Sequence, residues 1–286
     1  MNINNNSYFF IIMITIEIMG GLGNQLFQIF TLLSTSIEYK IPFYLEYKEK
    51  SSRLDRPFYW KNFLQNLSKF IRPLQADLIY REPCFHYKQL PYENIPKNKL
   101  VKLIGYFQSY KYFHHNKEII FKLIKLKEQK ITLLNKYKPA FFKNMVSLHF
   151  RIGDYVHLQN HHPILQMDYY IMAISQLIKI TGKDKWKILY FYEIRDKEKI
   201  KKKIHLLKSQ YQNIVFQSID HELQDWEQLL IMSLCQHNII ANSTFSWWGA
   251  YMNENNNKVF YPNKWFGIAQ GNKNTNDLFM DNWIKI

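Results

Sequence analysis

The sequence predicts an α/β protein in two halves, each a parallel sheet covered by helices. Three observations predict it. Near the N-terminus a strand-like apolar run meets a glycine turn, a segment of helical period and a second apolar run, the opening of a βαβ unit. From about residue 145 onward, short apolar runs alternate with segments of helical period, the pattern of a parallel sheet buried on both faces. Finally, 286 residues with a 47% apolar share are enough chain for two packed cores.

Each element follows in order. Residues 8–18 are apolar apart from Glu17, and they fall short of the ~20 residues a membrane span needs. No basic segment precedes them and no small-residue cleavage site follows, so they do not read as a signal peptide. Residues 14–19 are the first buried strand and residues 1–12 an N-terminal extension. Gly20, Gly21 and Gly23 turn the chain into a helix beginning at Asn24, with Leu26, Ile29, Phe30, Leu33 and Ile37 on one face. Residues 41–45 form a second strand. Residues 53–99 carry prolines at 57, 73, 83, 91 and 96 and read as loops and short helices. Residues 100–104 are a strand ending at Gly105, and residues 117–137 are helical. Beyond a boundary at 145, strands fall at 146–150, 188–192, 214–216 and 238–241, with helices near 169–180, 196–207 and 226–235. The expected domains are 13–145 and 146–286.

The net charge of +15 suits an anionic partner: nucleic acid, a membrane surface or a small anionic substrate. Its densest run is Lys197, Lys199, Lys201, Lys202 and Lys203, and Ile200, Ile204 and Leu207 share that run as the buried stripe of an amphipathic helix. The lysines therefore read as a solvated face. No RNA-binding signature accompanies them, so no nucleic-acid partner is expected, whereas peripheral attachment at a membrane is compatible with the charge. Two cysteines, Cys84 and Cys235, make no disulfide framework, and a reducing, cytoplasmic setting is expected.

Three motifs carry chemistry. His149-Phe150-Arg151-Ile152-Gly153-Asp154-Tyr155 follows directly on the apolar run Met145-Val146-Ser147-Leu148. A strand delivering a guanidinium, an imidazole and a carboxylate to a sheet rim suits an anionic ligand, since Arg presents a fork of donors to phosphate oxygens. Gly20-Gly21-Leu22-Gly23-Asn24-Gln25 lets backbone approach a ligand at a helix start, although it is not the dinucleotide fingerprint G-x-G-x-x-G. Asn242-Ser243-Thr244-Phe245-Ser246 ends a strand in small polar side chains and then enters Trp247-Trp248-Gly249-Ala250. One hydroxyl is enough for an N-cap, and the surplus reads as phosphate binding. Trp247 and Trp248 read as core. His157, His161 and His162 lack ligand partners at metal spacing, and no D-x-D occurs to hold a cation against a diphosphate.

Taken in this order, the three motifs resemble the bacterial-type α-1,2-fucosyltransferases, inverting glycosyltransferases of family 11. Gly105-Tyr106-Phe107-Gln108-Ser109 resembles the family's G-Y-W-Q-S, Asp168-Tyr169-Tyr170 its D-Y-Y, and Leu234-Cys235-Gln236-His237-Asn238 its approach to N-S. The closing Asn282-Trp283-Ile284-Lys285-Ile286 resembles its D-W-I-x-I. The resemblance implies a GT-B-like architecture of two Rossmann-type halves with a cleft between them, residues 13–145 on the acceptor side and 146–286 on the nucleotide-sugar donor side. It further implies metal-independent transfer of L-fucose from GDP-fucose to the 2-hydroxyl of a galactoside in a glycan, with no cofactor.

On this reading Arg151, His149, Asp154 and Asn24 are the catalytic candidates. Gly21, Gly23, Gln25, Asn242, Ser243, Thr244, Phe245 and Ser246 are the donor-binding candidates. Asp154, beside Arg151, is a poor base and is expected to orient the guanidinium; the base that activates the acceptor is unassigned. Two departures from the family pattern stand out. Ile152 replaces the second Arg of H-x-R-R-x-D, and Phe191-Tyr192-Glu193-Ile194 replaces F-S-D-D. They leave an alternative open, a catalytically impaired nucleotide-sugar or polyanion binder of the same fold. Strand alternation, if the strand persists that far, puts His149 and Arg151 on one face and predicts that Phe150 and Ile152 point to the other, with Ile152 mostly buried.

Overall fold

The computed structural model describes residues 12–47, 56–73, 75–91, 98–255 and 258–286. The proposed extension, residues 1–12, lies outside the described residues except for Ile12. The chain divides into two compact units, residues 1–125 and 126–286.

In the first unit β1 (Met13–Ile16) leads through the glycine turn into α1 (Leu22–Tyr39). Gly20 has φ +78, and a Cβ there would lie 2.8 Å from the Asn24 side-chain amide, so the turn requires glycine. The predicted stripe of α1 is in place: Leu26, Ile29, Phe30 and Leu33 have no exposed surface. Phe27 and Phe30 pack edge-on or tilted against Phe113. β2 (Leu45–Glu46), β3 (Ile71–Arg72), β4 (Leu78–Arg81) and β5 (Leu100–Ile104) follow, then α2 (Lys117–Leu123). β1 pairs with β5 and β5 with β4, all parallel, and β2 pairs in parallel with β3. β3 and β4 fall where the sequence reads as loop. β4 is an edge strand whose Leu78 and Ile79 are exposed, so the alternation that marks a half-buried strand is absent.

The helical stretch expected at 117–137 is two helices, broken at Lys125, whose φ is +53. The second of these, α3 (Leu126–Tyr137), opens the second unit and is followed by α4 (Pro139–Phe142). The division between units thus falls earlier than residue 145, because α3 packs on a helix of the second unit. Next come β6 (Met145–His149), α5 (Met167–Thr181), β7 (Lys187–Phe191), α6 (Lys197–Gln210) and β8 (Val215–Ser218). The chain then returns through α7 (Asp225–Leu234), the helix α3 meets, to β9 (His237–Ile239), α8 (Thr244–Tyr251), β10 (Val259–Tyr261) and β11 (Ile284–Lys285). All six strands are parallel, in the order β11-β10-β9-β6-β7-β8.

That order is the doubly wound one: the chain winds outward from β6 to β8, then crosses back and winds the other way from β9. The reversal falls between β6 and β9, and in such sheets the ligand crevice lies at the carboxyl ends of those two strands. β6 is buried along its whole length, as a central parallel strand must be. Val146, Leu148 and Phe150 join a core with Tyr170, Ala173, Ile174 and Leu177 of α5 and Ile200, Ile204 and Leu207 of α6. Ser147 accepts a bond from Asn238 Nδ2 at 2.7 Å, and the His149 ring lies 5.7 Å from that of Phe245. The lysines of α6 are exposed apart from a half-buried Lys203, the solvated face expected. Among the described residues no helix is long and apolar enough to cross a membrane.

Candidate functional site

The strand order delivers the two strongest motifs to the same place. β6 ends in His149 and runs on to Arg151, and β9 runs on to Asn242 and the start of α8. Tyr155 ties them together. The Arg151 guanidinium stacks on its ring, 4.8 Å from the centroid, and its hydroxyl donates to the Asn242 carbonyl at 3.0 Å. Arg151 is mostly buried, its side chain 17% exposed. Burial opposes its charge, but the Tyr155 phenol and the carboxylates of Glu193 and Asp154 outweigh it and raise its pKa. It stays a cation.

Arg151 Nη2 donates to Asp154 and Nη1 to Glu193. The first contact is the orienting pair the sequence suggests. The second joins the loop after β6 to the loop after β7, 42 residues on, and sequence reasoning missed it. A contact at that separation leaves no mark in a single sequence, which shows Glu193 only as a departure from the family pattern. Glu193 also pairs with Arg195. Gly153 lies under this pair at φ +40, and a Cβ there would sit 2.7 Å from Glu193 Oε1 and 2.8 Å from Arg195 Nη2. The Gly153 amide donates to Asp196 Oδ2 at 2.8 Å, and Asp196 is buried.

His149 is buried and its Nδ1 has no hydrogen-bond partner. Burial first, then the charge of Arg151, push its pKa down to about 3. It is a neutral imidazole at ordinary pH and cannot serve there as a cation for phosphate.

At the start of α8 the polar residues divide. Asn242 is 1% exposed and its amide donates to the carbonyls of Pro163 at 2.9 Å and Trp265 at 3.2 Å. Ser246 accepts from the Ala241 amide at 3.2 Å and donates to the Ser243 carbonyl. Both hold the loop in shape, and among the described residues Asn242 Oδ1 has no hydrogen-bond partner. Ser243 makes no capping bond with its side chain, and Thr244 and Phe245 are half-buried. A helix N-terminus whose cap hydroxyl is unspent remains to meet an anion. Trp247 and Trp248 are fully buried core residues, as expected. His161 is exposed, and His162 stacks on Tyr155 at 4.9 Å.

In the first unit the glycine motif meets Gly105-Tyr106-Phe107-Gln108. Gln108 Nε2 donates to Asn24 Oδ1 at 3.0 Å. Gln28 bridges the two turns, accepting from the Met19 amide and donating to the Gly105 carbonyl. Gln25 has no exposed surface, and its amide donates to the carbonyls of Gly20 and Pro57, both at 2.9 Å. Its amide N–H groups brace the turn, and among the described residues its Oε1 has no hydrogen-bond partner. Gly23 is likewise buried, inside the first turn of a helix that starts at Leu22 rather than Asn24. Gly21 stands with open space where a side chain would be, and Asn24 is partly exposed.

The family model described as Glycosyl transferase family 11 matches residues 11–286. The chain belongs to glycosyl transferase family 11. The family's relatives of this chain include the O-antigen biosynthesis glycosyltransferase WbnK of Escherichia coli, 34% identical over a match that spans 64% of this chain and 60% of the relative. An alpha-1,2-colitosyltransferase of Escherichia coli is 26% identical over 94% of this chain and 97% of its own. A galactoside 2-alpha-L-fucosyltransferase of Caenorhabditis elegans is 28% identical over 91% of this chain and 74% of its own. Among solved structures, a mutant of Arabidopsis thaliana FUT1 in complex with GDP is similar to 89% of this chain and 71% of its own, with 10% identity and a TM-score of 0.48. In this family 11 chain Arg151 and Ser243-Thr244 lie at the switch point of the second sheet.

Proposed function

We propose that this family 11 chain transfers L-fucose from GDP-fucose to the 2-hydroxyl of a galactoside, with inversion and without a metal ion. The observation that carries the reading is the junction at the switch point. A buried arginine and the uncapped start of α8 are held together there through Tyr155 and Asn242. A glycosyl donor with a diphosphate leaving group needs cationic and N–H donors where negative charge develops. Arg151 and the first turn of α8, with Ser243 and Thr244, can supply them. The absence of D-x-D from the sequence agrees with a charge sink made of protein groups.

In the displacement the bond from the sugar C1 to the diphosphate oxygen breaks as the acceptor oxygen attacks from the opposite face. The acceptor's proton leaves to a base. Asp154 is committed to Arg151 and orients it, and His149, buried and with its pKa pushed down to about 3, is too weak a base for this step, so the base is unassigned. The 2-position is supported by two relatives whose names share it, one a galactoside 2-alpha-L-fucosyltransferase and the other an alpha-1,2-colitosyltransferase. Their names differ in the sugar, so the sugar is the part an assay must decide.

The test is transfer from GDP-fucose to lactose by purified protein, with chelator and without, followed by NMR of the product. An α-1,2-fucosyl product formed equally in chelator supports the proposal. No transfer, or transfer abolished by chelator, overturns it.

A further inference from the structure

Each terminal nitrogen of Arg151 already gives one N–H to a carboxylate, Nη2 to Asp154 and Nη1 to Glu193, while Tyr155 covers one face of the guanidinium. A diphosphate arriving at this site would meet two carboxylates on the arginine meant to receive it, and its charge would be set against theirs. Full use of the guanidinium fork requires one of the two carboxylates to give way. Asp154 lies three residues from Arg151 in the same turn, and among the described residues no other cation is paired with it. Glu193 is differently placed, since its second oxygen is already paired with Arg195, whose side chain is 58% exposed.

We propose that Glu193 sets the affinity of the site for its nucleotide by standing in for the diphosphate on Arg151, and that Arg195 receives Glu193 when the nucleotide displaces it. This rests on the reading of the site as a nucleotide-diphosphate site. The loop is built for a side-chain exchange on a fixed backbone. The Asp196 amide donates to the Glu193 carbonyl at 2.8 Å, and buried Asp196 holds the Gly153 amide. Gly153 leaves open the space in which Glu193 and Arg195 sit, and any side chain there would fill it. The carboxylate is thus fixed at its base and has a cation on each side.

The exchange has a cost and a benefit. A ligand that must displace an internal anion binds more weakly by the strength of the contact it replaces. In return the mostly buried guanidinium of the empty site is matched by two carboxylates rather than by Asp154 alone. Removing the charge of Glu193 while keeping its shape should therefore strengthen binding, the opposite of what removing a ligand contact does.

The test is a double-mutant cycle on nucleotide binding, by calorimetric titration of GDP, GMP and inorganic diphosphate into wild type, Glu193→Gln, Arg195→Gln and the double variant. Glu193→Gln is expected to tighten GDP and diphosphate by about tenfold, the fold-change that one charge-assisted contact supplies. Arg195→Gln is expected to weaken both several-fold, because the displaced carboxylate loses its second partner. In the Glu193→Gln background, Arg195→Gln should have no further effect. Two results overturn the proposal. In one, Glu193→Gln weakens GDP and GMP alike, which would make Glu193 a ligand of the nucleoside. In the other, the two substitutions act additively. If wild type and every variant fail to bind GDP, the nucleotide reading itself falls; if wild type binds and Glu193→Gln changes nothing, only the exchange does. Arg195→Gln lies on an exposed side chain and keeps the test decisive should Glu193→Gln fold poorly.

Discussion

Replacing Ile152 by Arg restores the residue that the family's pattern has at this position, and the structure gives reasons to expect harm. Ile152 is 5% exposed and belongs to the core formed by β6, α5 and α6. The substitution forfeits the burial of an isoleucine, about 1.5–3 kcal/mol. It also places a guanidinium in that apolar cluster, where an unpaired charge costs several kcal/mol unless it finds water. Allowing for relaxation of the loop toward solvent, a net loss of roughly 3–5 kcal/mol is reasonable. For a unit of this size each kcal/mol moves the midpoint by about 2–4 °C, so the melting temperature should fall by roughly 6–20 °C. Thermal unfolding measures that shift, and calorimetric titration with GDP measures whether the new cation reaches the nucleotide. An Ile152→Val control should lose only about 0.5–1.5 kcal/mol. Tighter GDP binding by Ile152→Arg at an unchanged melting temperature would refute the burial argument. It would place residue 152 at the site.

Three further outcomes are expected. Arg151→Lys should lower turnover on the order of 10²-fold or more, because one ammonium cannot replace the fork on the leaving group; near-normal transfer would remove Arg151 from the chemistry. Gly153→Ala should destabilise the protein by roughly 1–2 kcal/mol from its positive φ alone and should dislodge Glu193 and Arg195, read by denaturant unfolding and GDP titration. His149 titrates near 3 in the folded protein and near 6.5 when unfolded, so the unfolded chain takes up the extra proton between those values. Stability is complete above about 6.5 and is lost as pH falls toward 3, with His237, down to about 4, adding to the loss. His149→Gln should flatten that acid limb in urea titrations at pH 7 and pH 5, and an unchanged limb would count against the burial of a neutral ring.

The α/β class, the glycine turn into α1 and the strands of the second sheet on either side of the switch point were legible because each is written locally. Apolar periodicity and turn residues sit within a few positions of the structure they cause. Ile152 is buried as expected but not by alternation along a strand, because β6 ends at His149 and Ile152 lies in the turn that follows it. The missed elements lack such local marks. β4 is exposed on both faces, and β10 and β11 are too short for a period to show. The same holds at the site, where Glu193 reaches Arg151 only because β6 and β7 are neighbours in the sheet.

The motif residues teach a related point about reading function from polar clusters. Gln25, Gln28, Asn242 and Ser246 sit in the most family-like stretches of the chain, and the structure spends their side chains on backbone carbonyls and amides. A buried polar side chain must be bonded, and an amide that ties two or three loops fixes their geometry. Such residues are as constrained as ligand contacts and look identical in a sequence. What separates the two classes, for an anionic ligand, is spare donor capacity: Gln25 and Asn242 keep an unpartnered oxygen but have given both amide N–H groups to carbonyls. Ser243 leaves its hydroxyl out of the cap, Gly21 faces open space, and Arg151 holds a carboxylate that has another cation waiting. Loss of a brace such as Asn242 would therefore lower stability together with binding, whereas loss of a contact such as the Ser243 hydroxyl would lower nucleotide binding and leave the melting temperature where it is.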